Sequence, residues 1–204
     1  MRKSKVEAAE SRKRIVATAK DIFLREGIAA TAIADVMGAA GLTQGGFYRH
    51  FESKEHLVAE ANAVAFEDSF ASFDAVAMGK APREAVDAIV HRYLQQLQDP
   101  KLEHLCPLSN LSSELRHADD QVKAVVSEGY ARFVKFLAAY LMRLDYKDYV
   151  GLAESIVSVL VGAVSLSGLM HGPAAAEAIL VNARQTVKLL LQNATTSATL
   201  VRGN

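Results

Sequence analysis

An all-α chain is the fold this sequence predicts, and three observations carry the prediction. Only four prolines occur in 204 residues. Apolar residues recur at three- and four-residue steps rather than in alternation. Glycines and small hydroxyl residues stand where these periodic runs end and begin. The runs group into three N-terminal helices over 1–52 and a larger helical part over 53–194, about nine helices in all, before a tail over 195–204 that reads as flexible.

The first helix is expected from about Glu7 or Ser11 to Glu26, where Ile15, Ala19, Ile22 and Phe23 form one stripe and Arg12, Lys13 and Arg14 lie near the start. Gly27 ends it as a C′ glycine does. Thr31 is placed to cap a second, short helix in which Ile33, Val36, Met37 and Ala40 share a face, and Gly41 closes it. Thr43 then starts a third, about Gln44 to His50. Two short helices joined at Gly41-Leu42 match the helix-turn-helix, whose second helix enters the major groove of DNA.

The stretch from Thr43 to Lys54, T-Q-G-G-F-Y-R-H-F-E-S-K, holds the densest chemistry. Gly45 and Gly46 each cost about 1 kcal/mol relative to alanine in a helix interior. Something offsets that cost: either the bare backbone approaches phosphates and base edges closely, or it packs tightly on the first helix. Phe47 and Phe51, four residues apart, are expected to face the small core, and Tyr48, Arg49 and His50 to point away from it. Ser53 can cap the next helix. Lys54 in that helix's first turn is electrostatically odd unless an anion such as a phosphate lies nearby, or unless it is simply a solvated surface charge.

That next helix is expected from Ser53 to about Met78, with Phe66, Phe70 and Phe73 on an aromatic stripe. Gly79 to Pro82 breaks the chain. Arg83 to Leu97 follows, with Val86, Ile89, Val90, Tyr93 and Leu97 in phase, then a loop carrying Asp99 and Pro100. In H-L-C-P-L-S-N-L-S-S-E-L, Pro107 suits the first position of a helix and puts Cys106 at or beside its N-cap. There a thiolate is stabilised and reactive, or the cysteine is a small apolar filler. Asp120 to Leu144 carries a broad apolar face including Tyr130 and Phe133, suited to a ligand cavity or to plain core. Lys147 to Met170 and Pro173 to about Gln192 are rich in Ala, Ser and Gly; Ser158, Gly162 and Ser165 permit close helix contact.

Half the residues are apolar and 23% are charged, which excludes a disordered chain. Net charge is zero, yet residues 1–30 hold eight Lys/Arg against four Asp/Glu, a net of +4, and residues 61–204 hold thirteen against fifteen, a net of −2. Cys106 is the single cysteine, so no intramolecular disulfide framework forms. The start lacks the apolar stretch of a secretory signal, and the uncharged run Ser155 to Met170 is shorter than the roughly 20 apolar residues of a membrane span. His104, His117 and His171 are too scattered for a metal site, no cofactor is expected, and no hydrolase, zinc-protease, dinucleotide or phosphate-loop pattern occurs.

Residues 11–62, notably I-A-D-V-M-G-A-A-G-L-T-Q-G-G-F-Y-R-H-F-E-S-K-E-H-L, resemble the N-terminal domain of the TetR family of bacterial transcriptional regulators. The resemblance implies that Thr43, Tyr48, His50 and Lys54 contact phosphates, with Thr31 as another contact. It implies Gln44, Gly45 and Gly46 against base edges, and Gln44 can bond adenine bidentately through N6 and N7. It further implies a cytoplasmic homodimeric repressor on a palindromic double-stranded operator, paired through the last two helices at Ser158, Gly162 and Ser165. A small-molecule effector is expected in the larger domain, near Phe66, Phe70, Tyr93, Tyr130 and Phe133. The phrase C-P-L-x-x-L-x-x-E-L resembles one in a branch of the family, some members of which sense electrophiles or oxidants through a cysteine there, which makes Cys106 a candidate sensor. A helical adaptor that binds only proteins is the alternative reading, and an enzyme a more distant one.

Overall fold

The computed structural model describes residues 5–98 and 105–194. Among them the periodic runs become nine α-helices and one 3-10 helix: α1 (Lys5–Glu26), α2 (Ile33–Ala39), the 3-10 helix (Gln44–Arg49), α3 (Lys54–Ala77), α4 (Pro82–Leu94), α5 (Pro107–Asn110), α6 (Ser112–Leu115), α7 (Asp120–Met142), α8 (Tyr149–Gly168) and α9 (Pro173–Asn193). Gly27 and Gly41 take φ of 93° and 70°, the left-handed conformation that ends α1 and α2 where the sequence places those ends. Asp99, Pro100, His104 and the tail 195–204 lie outside the described residues.

Four local expectations change. The third helix is a six-residue 3-10 turn rather than an α-helix, in keeping with two adjacent glycines that hold helical geometry poorly. Ala32, not Thr31, caps α2; its N–H is taken by the Asp35 carboxylate at 2.9 Å. Helix α4 stops at Leu94 rather than Leu97, and the Gln96 side chain donates to the carbonyl of Tyr93 at 3.0 Å. The segment after Cys106 forms two single turns, α5 and α6, divided at Leu111.

Two compact units emerge, Met1–Asp68 with Leu105–Gly129, and Ser69–His104 with Tyr130–Asn204. In the first, the core joins Ile15, Ala19 and Phe23 of α1, Val36 and Met37 of α2, Phe47, Phe51 and the first turns of α3. Leu111, Leu115 and Val122 belong to the same core, which is why residues far along the chain cluster with the N-terminal helices rather than following the expected division at 52/53.

In the second unit, Phe73, Tyr93 and Phe133 stack: the Phe73–Phe133 ring centroids are 5.0 Å apart and the Tyr93–Phe133 centroids 5.3 Å. Helices α8 and α9 pair along their length. The Tyr146 hydroxyl donates to the Leu191 carbonyl at 2.7 Å, tying the α7–α8 turn to the end of α9. Helix α8 lies within the expected Lys147 to Met170, and its 20 residues are, by length and composition alone, enough to cross a membrane. Its Ile156, Val157, Leu160 and Val164 are buried within the unit, where α8 packs on α4 and α9.

Candidate nucleic-acid interface

The 3-10 helix is fixed from beneath. Phe47 is fully buried and stacks on Phe51 at 5.5 Å, while Tyr48 sets its ring edge-on to Phe47 at 5.2 Å and stays 72% exposed. Rigid aromatic contacts of this kind hold a side chain in one orientation at little entropic cost. Thr43, Gln44, Gly45 and Arg49 are exposed, and His50 is half-buried. The segment therefore presents polar side chains outward from an apolar anchor, as the spacing of Phe47 and Phe51 predicts.

The glycine pair has no internal explanation. A Cβ at Gly45 would meet nothing within 4 Å, and one at Gly46 would touch only Met37 Cε at 3.7 Å and Thr43 Oγ1 at 3.9 Å, both ordinary contacts. Neither glycine has a positive φ. Tight packing on α1 thus gives no reason for them, and the open space at Gly45 leaves room for close approach from outside the chain.

Below the segment, α1 is clamped to α3. The Arg12 guanidinium lies 4.3 Å over the Phe51 ring and forks onto Glu60, with Nη2 2.6 Å from Oε1 and Nη1 bonded to Oε2. His56 sits 3.1 Å from the same carboxylate and edge-on to Phe51. Further along α1, Lys20 donates to Asp68 at 2.5 Å. Burial lowers the Lys20 pKa, but the Asp68 and Asp21 carboxylates outweigh it and hold the pKa above its ordinary value.

Two residues expected at phosphates have partners within the chain. Thr31 is buried, and its hydroxyl donates to the Gly27 carbonyl at 2.6 Å. Lys54 Nζ donates to the carbonyls of Ile28 at 2.6 Å and Thr31 at 2.7 Å, so the anion its position calls for is supplied by two carbonyl dipoles. Sequence reasoning missed Glu114 of α6, whose carboxylate accepts from the N–H of Ile28 at 3.1 Å and of Ala29 at 2.6 Å. Ser53 caps α3 as expected, accepting from the His56 N–H at 3.1 Å.

The remaining candidates divide between the units. Cys106 and Phe66 fall in the first, and Phe70, Tyr93, Tyr130 and Phe133 in the second. Cys106 is the N-cap of α5, as expected, but it is buried, and α5 is a single turn of four residues that lacks the summed dipole of a long helix. Phe66 lies against the bare backbone of Gly129, where a Cβ would stand 2.4 Å from its ring. Phe70 carries the Arg132 guanidinium 4.4 Å above its ring. Tyr130 is partly exposed, whereas Phe70, Tyr93 and Phe133 are buried. On α8, Ser158 is exposed, Ser165 is half-buried, and a Cβ at Gly162 would meet nothing within 4 Å.

An exposed, glycine-bearing second helix on a three-helix core, followed by a separate helical unit, is the build of a helix-turn-helix regulator. Residues 15–61 match the bacterial regulatory proteins of the tetR family, and residues 82–178 match the LmrA/YxaF-like transcriptional regulator C-terminal domain. The chain belongs to the TetR family of bacterial transcriptional regulators. It is 41% identical over 58 residues to the HTH-type transcriptional regulator TtgR of Pseudomonas putida, covering 28% of each chain. It is 36% identical over 73 residues to the HTH-type transcriptional repressor KstR2 of Rhodococcus jostii, covering 35% of this chain and 36% of that one. These matches span about a third or less of the relatives' length. A TetR transcriptional regulator from Chloroflexus aurantiacus superposes with a TM-score of 0.77 at 27% identity over 94% of this chain and 98% of that one. The reduced form of E. coli NemR gives a TM-score of 0.78 over 93% and 99%, and at 18% identity that likeness is one of fold alone.

Proposed function

We propose that the chain is a homodimeric repressor that binds a palindromic operator in the bacterial cytoplasm and leaves it when a small molecule binds the second unit. The open space around Gly45 carries this reading: beside the exposed Gln44 and Tyr48, that glycine serves no internal packing and suits a duplex pressed against the segment. Gln44, Gly45 and Gly46 meet base edges, and Thr43, Tyr48 and His50 meet phosphates. Thr31 and Lys54 act one step back, by holding the loop before α2.

Pairing through α8 and α9 places Ser158, Gly162 and Ser165 at the dimer contact, where small side chains let helices approach. Two-fold symmetry then sets two reading segments one helical turn of DNA apart, about 34–36 Å, or a multiple of it. The effector is apolar or aromatic, because a guest among Phe70, Tyr93 and Phe133 replaces ring-to-ring contacts with its own. It weakens operator binding by favouring the conformation that holds it. An electrophoretic shift at low salt, with the protein's own promoter fragment, tests the function: Tyr48→Phe and Gln44→Ala are expected to weaken a shift that the wild type gives, and no wild-type shift would end the proposal.

A further inference from the structure

Several cations of the first unit are committed to partners. Arg12 is held by Glu60, Lys13 stands 3.8 Å from Glu10, Lys20 is bonded to Asp68, and Lys54 to two carbonyls. Arg49 differs. It is exposed, it occupies the last turn of the 3-10 helix between Tyr48 and His50, and no hydrogen bond or ion pair joins it to any described residue.

Three residues per 3-10 turn put Thr43, Gly46 and Arg49 on one face. Arg49 therefore shares its face with a hydroxyl and a bare backbone, and with no carboxylate that would neutralise it. A Cβ at Gly46, one turn earlier, would turn to Met37 at 3.7 Å and Thr43 at 3.9 Å, so no side chain there reaches outward beside Arg49. A guanidinium with no internal bond to break presents a planar fork that matches guanine O6 and N7.

We infer that Arg49 reads a guanine in the major groove and is, beside Gln44, the second determinant of operator sequence; this rests on the DNA-binding reading above. The five-residue step from Gln44 to Arg49, at a 3-10 rise of about 2 Å per residue, spans about 10 Å. That is roughly three base-pair steps at about 3.4 Å each. The two side chains accordingly address different base pairs of one half-site, an A·T pair for Gln44 and a G·C pair for Arg49.

The test is binding-site selection from a random duplex library with the full-length wild type and Arg49→Ala, followed by anisotropy titrations on the selected operator and on a scrambled duplex at several salt concentrations. Arg49→Ala is expected to lose the G·C preference at one position per half-site and keep the others. Its operator affinity is expected to fall about tenfold or more, with scrambled-duplex binding and the salt slope little changed. Equal losses on both duplexes, with the salt slope reduced by about one and the selected motif intact, mark a phosphate contact and overturn the inference. An unchanged motif and affinity overturn it too. A wild type that selects no motif sinks the DNA-binding reading itself, and with it this one. Matched thermal unfolding of the two proteins establishes that the substitution leaves the fold unaltered.

Discussion

Glu114 accepts the N–H of Ala29 at 2.6 Å, eighty-five residues back along the chain, and its second oxygen takes the N–H of Ile28 at 3.1 Å. The loop between α1 and α2 is thereby held by a side chain from α6. Gly27 makes room for it, since a Cβ there would stand 2.7 Å from Glu114 Oε1. On the opposite edge of the same loop, Lys54 takes the carbonyls of Ile28 and Thr31. One acid and one base thus satisfy donors and acceptors that a turn between helices leaves open.

Glu114→Ala is expected to destabilise the protein by about 1–2 kcal/mol, the range for losing a charge-assisted bond from backbone groups that water can partly reach. Operator affinity is expected to fall as well, because the loop positions α2 and the 3-10 helix after it. Urea unfolding and anisotropy read the two effects, and Glu114→Gln, which keeps an acceptor oxygen, is expected to fall between wild type and alanine in both.

Lys54→Gln separates a structural lysine from a phosphate contact. Loss of its two carbonyl bonds is expected to cost about 1–2 kcal/mol of stability while leaving the slope of log K against log salt unchanged. A slope lowered by about 0.9 with stability intact would return Lys54 to the duplex surface.

Much of this was legible in the sequence, and what was not has physical causes. The stripe Ile15, Ala19, Phe23, the closing glycines and the Phe47/Phe51 spacing all report on bonds and contacts within a few residues, where periodicity speaks directly. Thr31 was misleading because it stands where a capping threonine would, yet its hydroxyl turns back to Gly27 and the helix begins one residue later. Lys54 looked available because its two acceptors lie twenty-three and twenty-six residues away. Nothing local to S-S-E-L announces Glu114 as a partner of Ile28 and Ala29, and nothing local puts Leu111 and Leu115 in the N-terminal core. Contacts of that separation leave no periodic trace.

Gly162 bears on assembly. Outside its own helix backbone and chain neighbours, no atom among the described residues stands within 4 Å of where its Cβ would be, so a larger side chain is expected to fit the protomer and to obstruct what approaches α8 from outside. Gly162→Leu is expected to keep helical circular dichroism and to shift sedimentation from dimer to monomer. Operator binding is expected to weaken sharply, since a lone protomer engages one half-site and loses the gain from linked binding. A Gly162→Leu protein that sediments as the wild type does would move the pairing surface elsewhere.

Gly45 sets stability against function at one position. The site is open, and its φ is not positive, so an alanine there enters without strain and narrows the unfolded ensemble. Gly45→Ala is expected to stabilise the free protein by about 0.4–1 kcal/mol. The same methyl group stands where base edges or phosphates must come close, so operator affinity is expected to drop even as the unfolding midpoint rises. Opposite signs in the two measurements are the signature of a glycine kept for a partner's approach. If Gly45→Ala raised stability and left DNA binding untouched, the glycine would have no part in the interface, and the duplex would be resting on Gln44, Tyr48 and Arg49 without closing on the backbone between them.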